Sequence, residues 1–377
     1  MQESSLYIHI PFCDHKCIYC DFYSIITHDN IQRYLDTLKK EIEYYALKYS
    51  DGRKYTTIFF GGGTPSLLAP NQIEDMLMCI KTNFMVSKNA EITLETNPGT
   101  VDKSKLKDFL KAGINRISIG IQTFDDDELK FLTRIHNKQT AIETVMLAKE
   151  VGFKNINVDL IFNLPKQTKK TWLLNLQTAL TLPVTHVSAY SLILERGTIL
   201  NKLVLDKKVV LQDEDYDAEL YEMTIEFMNR NNFIQYEVSN FAVKGFECRH
   251  NLAYWQYKDY LGFGTSAHSF VNGKRWWNYS PLKFYVDSVM KKGNAVIGEE
   301  MLSEQQMKEE YIMLALRSNG LHVNEFNKKF GFEWYREKEN QIKTYLENNL
   351  LVNMDNVLAL TSKGYVVCDE IVANLIL

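Results

Sequence analysis

Three thiols crowd into one short stretch, Cys13-Asp14-His15-Lys16-Cys17-Ile18-Tyr19-Cys20, spaced C-x3-C-x2-C. Thiols clustered at this spacing point to a metal centre, and the polar residues between them suit a hydrophobic core poorly. Two kinds of centre compete. Zinc usually closes a tetrahedron on four protein ligands; no further Cys follows, because Phe22 stands two residues past the third thiol, so His15 or His9 would have to complete it. A [4Fe–4S] cube on three thiolates leaves one iron open to an outside ligand, and the spacing favours it. Disulfides are disfavoured, since nothing marks the chain as secreted. Cys79, Cys248 and Cys368 are scattered and read as reduced thiols, which fits a cytoplasmic setting.

A second candidate lies at Gly61-Gly62-Gly63-Thr64-Pro65. After a strand this is a permissive turn by default, but glycines also let backbone donors and acceptors approach a charged ligand.

These residues must be positioned by regular elements, and the period of the apolar residues shows which. Leu6, Ile8 and Ile10 alternate with Tyr7 and His9, so a strand ends at Pro11 just before the cysteine loop. A helical stripe follows at Ile31, Tyr34, Leu35, Leu38, Ile42 and Tyr45. Further strands fall at 57–60, 92–96, 116–122, 156–162 and 186–192, with helices at 70–84, 139–151, 170–180 and 213–231. Strands alternating with helices predict an α/β fold on a parallel sheet that curls toward a barrel. One strand face is apolar (Ile92, Leu94, Ile117, Ile119, Ile156, Val158, Leu160) and suits packing beneath helices. The other carries Thr93, Glu95, Asn97, Ser118, Gly120, Gln122, Asn157 and Asp159. A complete eight-stranded barrel fills its lumen with apolar side chains. A polar inner face therefore predicts an incomplete barrel around a polar ligand; the bland alternative is an open sheet with one wet face.

Composition sets the frame. The chain has 377 residues, 45% hydrophobic and 24% charged, enough for one large domain and a small one. A net charge of −4 gives no general pull toward nucleic acid or anionic lipid. Met1-Gln-Glu-Ser-Ser leads straight into the first strand, so no signal peptide is expected. No apolar run reaches membrane-spanning length, which leaves peripheral membrane contact open.

The C-x3-C-x2-C loop closely resembles the signature of the radical S-adenosylmethionine (SAM) enzymes, in which the open iron chelates SAM. The resemblance continues through Tyr7-Ile-His-Ile-Pro-Phe-Cys13, the GGGTP turn, Glu95, Gly120-Ile-Gln122-Thr-Phe124, Arg134 and Asp159-Leu-Ile-Phe-Asn-Leu-Pro165. This order is similar to the coproporphyrinogen III dehydrogenase group, which includes the HemW-type haem-binding proteins. It implies a partial (β/α)6 barrel, a [4Fe–4S] cluster on Cys13, Cys17 and Cys20, and SAM contacts at Tyr7, Tyr19, Gly62, Gly63, Thr64, Glu95, Gln122, Arg134 and Asp159.

Residues 241–295 are crowded with aromatics and contain His250-Asn251-Leu-Ala-Tyr254-Trp255. A lone histidine before aromatics is usually structural, yet HNxxYW resembles the haem motif of HemW-type proteins, and Gly262-Phe-Gly-Thr-Ser-Ala-His268 extends the likeness. The resemblance implies haem contacts at His250, Asn251, Tyr254 and Trp255. From 296 onward the pattern turns helical, with a capping-box signature at Ser303 and Gln306, helices at 323–330 and 334–348, and two short strands. This predicts a winged-helix-like α+β domain. Its balanced charge offers no basic stripe for phosphates, so no nucleic-acid partner is expected. The expected division is therefore a core barrel at 1–240, an aromatic bridging segment at 241–295 and a closing domain at 296–377.

The resemblance favours a haem chaperone that passes haem to acceptor proteins, with a reductant for the cluster. An oxygen-independent coproporphyrinogen III dehydrogenase is the alternative, weakened because those enzymes usually carry a further Cys where this chain has Phe22. The sequence leaves homodimerisation open.

Overall fold

The computed structural model describes residues 1–27 and 29–376. Six parallel strands stand side by side in chain order: β1 (Gln2–Ile10), β2 (Arg53–Gly62), β3 (Val86–Thr96), β4 (Arg116–Gln122), β5 (Asn155–Phe162) and β6 (His186–Ser191). Helices Ile31–Tyr49, Pro70–Asn83, Lys103–Ala112, Lys138–Val151 and Lys169–Thr181 make the crossovers. Their ends follow from the sequence. Asp102, Asn137 and Thr168 accept from the backbone N–H three residues on, and Gly113 and Gly152 close two helices at φ +112° and +114°.

The alternation sorts the two faces as expected. Leu6, Ile8, Ile58, Leu94, Ile117, Ile119, Ile156 and Val158 are buried in one core with the helices. The opposite face is polar but not wet: Thr93, Ser118 and Asn157 are also buried. Asn157 Nδ2 donates to Ser118 Oγ at 2.7 Å, Asp159 Oδ1 at 2.7 Å and Ser188 Oγ at 3.0 Å. His186 Nδ1 donates to Asn157 Oδ1 at 2.5 Å, and its Nε2 accepts from Tyr236 Oη at 2.7 Å. These groups satisfy one another inside a concave sheet, as buried polar groups must.

The sheet then grows at both edges. Beyond β6 lie β7 (Ile234–Glu237) and β8 (Asn240–Ala242), antiparallel. Beyond β1 lie β9 (Tyr260–Phe263), parallel to it, then the antiparallel β10 (His268–Val271), β11 (Lys274–Asn278) and β12 (Val296–Met301). The result is a 12-stranded sheet running from β12 to β7. The aromatic segment thus builds strands onto the sheet, and Trp276 stacks on Tyr45 and Tyr49 at 5.7 Å each.

The last part has its own core, with Phe326, Trp334, Ile342, Leu351, Leu358 and Ile371 buried together. Its helices Glu304–Leu316, Val323–Phe330 and Glu339–Glu347 pack with β13 (Leu321–His322), β14 (Leu351–Met354) and β15 (Val357–Leu360), ordered β13-β15-β14. The topology is winged-helix-like. The helix expected over 334–348 is broken at Lys338, which separates Glu333–Glu337 from Glu339–Glu347. The capping box at Ser303 and Gln306 is formed in both directions. Among the described residues no helix is long and apolar enough to cross a membrane.

Candidate cofactor site

The cysteine loop leaves the C-terminal end of β1 and is tied down by backbone. Cys13 N donates to Ile25 O at 3.0 Å, and Ile25 N returns to Pro11 O at 2.7 Å. The GGGTP turn locks to the same stretch: Gly63 N donates to Ile10 O and Thr64 N to Phe12 O, both at 2.8 Å. Glycine is needed here. A Cβ on Gly63 would sit 2.7 Å from Phe12 O and 2.9 Å from Ile10 O, and one on Gly62, at φ +110°, would strike the His9 ring at 2.5 Å.

Cys13, Cys17 and Cys20 line a cavity of about 430 Å³. The same wall carries Tyr19, Gly62, Gly63, Thr64, Glu95, Gln122, Arg134 and Asp159. Residues spread over more than 140 positions thus share one cavity wall. Tyr7 is the exception: it lines two adjoining cavities, and its Oη lies 3.1 Å from His9 Nδ1. Arg134 is the pivot. Its Nη2 donates to Asn97 Oδ1 at 2.7 Å and Gly120 O at 2.6 Å, and its Nη1 approaches Cys17 Sγ at 3.6 Å. Asn97 Nδ2 in turn donates to Thr64 Oγ1 at 2.9 Å, and that hydroxyl points at Cys13 Sγ, 3.4 Å away. Gln122 sits at φ +73° where the β4–β5 register shifts, a strained backbone of the kind that clusters at functional sites. Burial, and next the Asp159 carboxylate, push Glu95 up to about 8.

The donor set fits a thiolate-bound cluster. Among the described residues no three His, Cys, Asp or Glu side chains converge closely enough to share one metal ion; the three thiols share a cavity wall instead. The zinc alternative needed His15 or His9. His15 lines the same cavity as the thiols, but among the described residues it does not converge with them on one metal position; His9 has no ring nitrogen to give, since Nδ1 faces Tyr7 Oη and Nε2 donates to Tyr23 O at 3.1 Å. Burial holds His9 down at about 4. Positively polarised donors on Arg134 and Thr64 face two of the sulfurs, as thiolates require. The remaining wall pairs a guanidinium with two carboxylates and open glycine backbone, which matches a zwitterionic amino acid.

The HNxxYW residues lie on helix Arg249–Trp255. His250 is 1% exposed, with Nδ1 2.8 Å from Thr57 Oγ1 and Nε2 2.9 Å from Tyr254 Oη, and burial drives it down to about 3. Its backbone N–H donates to the buried Glu91 carboxylate. Both ring nitrogens are therefore engaged. Asn251 lines a polar cavity of about 320 Å³ in the lumen, Trp255 is half-buried, and Tyr254 alone also borders a larger cavity of about 790 Å³. That cavity draws its walls from Tyr7, β9–β11 and helix Glu304–Leu316. Sequence reading had no means of finding it, because its lining residues are neighbours only in space. It also missed Arg116, buried at the start of β4 with its Nε unpartnered and lining the lumen.

The family model of the radical SAM superfamily matches residues 7–177. The chain is 36% identical over 370 residues to the Bacillus subtilis (strain 168) protein named Heme chaperone HemW, spanning 97% of each. It is 35% identical to the Lactococcus lactis subsp. lactis (strain IL1403) protein of the same name, over 97% of this chain and 95% of the other. Among solved structures, coproporphyrinogen III oxidase (HemN) from Escherichia coli, described as a radical SAM enzyme, superposes with a TM-score of 0.84 at 24% identity, covering 99% of this chain and 90% of that one. That last likeness speaks to the fold alone. The chain belongs to the radical SAM superfamily and, within it, to the HemW family.

Proposed function

We propose that the protein is a haem chaperone: it binds haem beside a SAM-liganded [4Fe–4S] cluster and delivers haem to acceptor proteins. The observation that carries this reading is the full-length similarity to a protein named a heme chaperone. The geometry supports it with a second, aromatic-walled cavity adjoining the cofactor cavity, with Phe22 of the cysteine loop on the wall of both.

In this reading Cys13, Cys17 and Cys20 hold the cluster, which when bound supplies an open iron position and, with an external reductant, an electron. The rest falls to the chain. Arg134 would pair with the SAM carboxylate, while Glu95 and Asp159 would take its amino and ribose donors. Gly62, Gly63 and Thr64 present backbone close to the ligand. Gln122 and Tyr19 complete the wall, while Tyr7 lines the two other cavities. The HNxxYW segment serves haem, with Tyr254 on the wall of the larger cavity, His250 bracing it, and Asn251 and Trp255 flanking.

The test is an anaerobic haem titration of the cluster-reconstituted protein followed by absorbance, alongside coproporphyrinogen turnover with SAM and a reductant. Saturable binding near one haem per chain without turnover is expected. Steady decarboxylation of coproporphyrinogen with no haem retained would replace this reading with the dehydrogenase. Size-exclusion of the same samples reports whether the chain dimerises.

A further inference from the structure

We infer that haem seats in the cavity between β9–β11 and helix Glu304–Leu316, with His268 as its iron ligand and His250 as a positioning residue behind the wall. This rests on the haem-chaperone reading. A haem-ligating histidine must offer an uncommitted ring nitrogen next to a slot of adequate size. The cavity, at about 790 Å³, has the capacity of a site for a drug-sized ligand. Its walls are Tyr254, Tyr257, Tyr260, Phe270 and Trp277, flat apolar faces suited to a porphyrin.

Two histidines line this cavity, His9 and His268. His9 is buried with both nitrogens bonded. His268 is exposed, and among the described residues its ring makes no hydrogen bond. It is nonetheless oriented: β10 and β11 pair His268 with Trp277 in register, and the two rings stack at 5.9 Å and 23°. Partial burial and the nearby Arg275 charge lower its affinity for protons, keeping the imidazole in the neutral form that binds metal. His250, by contrast, could reach iron only by abandoning Thr57 and Tyr254 and leaving both unsatisfied in a buried site. Its hydrogen bond to Tyr254 instead holds one face of the slot, which gives the HNxxYW segment a role without ligation.

The porphyrin carboxylates would meet the rim. Lys258 and Arg275 stand there, paired now with Glu3 at 2.9 Å and with Glu310 at 2.8 Å. A propionate would exchange most readily with the more exposed Lys258–Glu3 pair, which contributes little on its own, whereas Arg275 is held to both oxygens of Glu310 in a part-buried pair.

The experiment compares haem binding to the reconstituted wild type, His268→Gly and His250→Phe by absorbance, with and without added imidazole. His268→Gly should weaken binding by about tenfold or more and lose the histidine-ligated spectrum, and imidazole should restore it. His250→Phe should weaken binding while keeping that spectrum. The side chain of His268 is exposed, so an unchanged melting curve serves as the folding control. Wild-type spectrum and affinity in His268→Gly would overturn this assignment and leave the chaperone reading standing. Failure of the wild type to bind haem at all would remove the chaperone reading and this inference with it.

Discussion

Replacing Gly63 with alanine should uncouple the GGGTP turn from the cysteine loop while sparing the rest of the fold. The added methyl would lie 2.7 Å from Phe12 O and 2.9 Å from both Ile10 O and Pro11 C, and all three are backbone atoms with nowhere to go. The turn must therefore move, stretching the Gly63 N–Ile10 O and Thr64 N–Phe12 O hydrogen bonds. Overpacking costs about 1–3 kcal/mol, and two weakened hydrogen bonds add roughly 1 kcal/mol each, for a total of about 3–5 kcal/mol focused on the site. Gly52→Ala is the control. Gly52 turns at positive φ, +74°, which Gly63 does not, and no atom lies within 4 Å of its Cβ position. It should lose only the roughly 1–2 kcal/mol of a left-handed backbone. Iron per chain after anaerobic reconstitution, SAM affinity by calorimetry and thermal melting are measured on both. Gly63→Ala should lose cluster and SAM binding out of proportion to its melting shift, and Gly52→Ala should keep both. A Gly63→Ala protein with full cluster, unaltered SAM affinity and an unshifted melting curve would show that the turn does not hold the cysteine loop in place.

Replacing Cys13, Cys17 and Cys20 together with alanine should abolish the cluster's charge-transfer absorbance; retention of a full cluster would remove the central metal assignment. Arg134→Gln loses the guanidinium fork to Asn97, Gly120 and Cys17 and should weaken SAM binding by about tenfold or more, with unchanged calorimetric affinity contradicting its role. Glu41 is wholly buried, accepts from Gly264 N, Asn278 Nδ2 and Tyr285 Oη, and is lifted by burial from 4.5 to about 7. The folded state therefore binds the proton more tightly than the unfolded one, so stability should fall as the pH rises from about 5 to about 7. Glu41→Gln should flatten that slope by about one proton, and an unchanged slope in denaturant titrations would count against it.

The parts of this fold legible in the sequence are those set by local period. β1 to β6 announce themselves because Leu6, Ile8 and Ile10, or Ile117 and Ile119, recur every second residue, and the same alternation exposes the polar lumen. The cofactor cavity was legible for a related reason: its residues sit at the C-terminal ends of those strands or in the turns that follow. β9 to β12 were not legible, since Gly262 and Gly264 break the alternation and the run of tryptophans and tyrosines reads equally well as core or surface. The burial of His250 depends on Thr57, and the binding of its backbone on Glu91; neither partner is near it in the chain. The large cavity likewise joins Tyr7 to Met313. Such long-range closures leave no periodic trace.

Delivery of haem is measured directly by its rate. Haem-loaded, cluster-reconstituted protein is mixed anaerobically with an excess of a haem-free b-type cytochrome domain, with apomyoglobin as a passive scavenger for comparison, and absorbance is followed in a stopped-flow cell. A chaperone should hand haem to the cytochrome at a rate that rises with acceptor concentration and exceeds the loss to apomyoglobin. Haem leaving at one fixed rate, whichever acceptor is present and at whatever concentration, would mean passive dissociation and contradict the account.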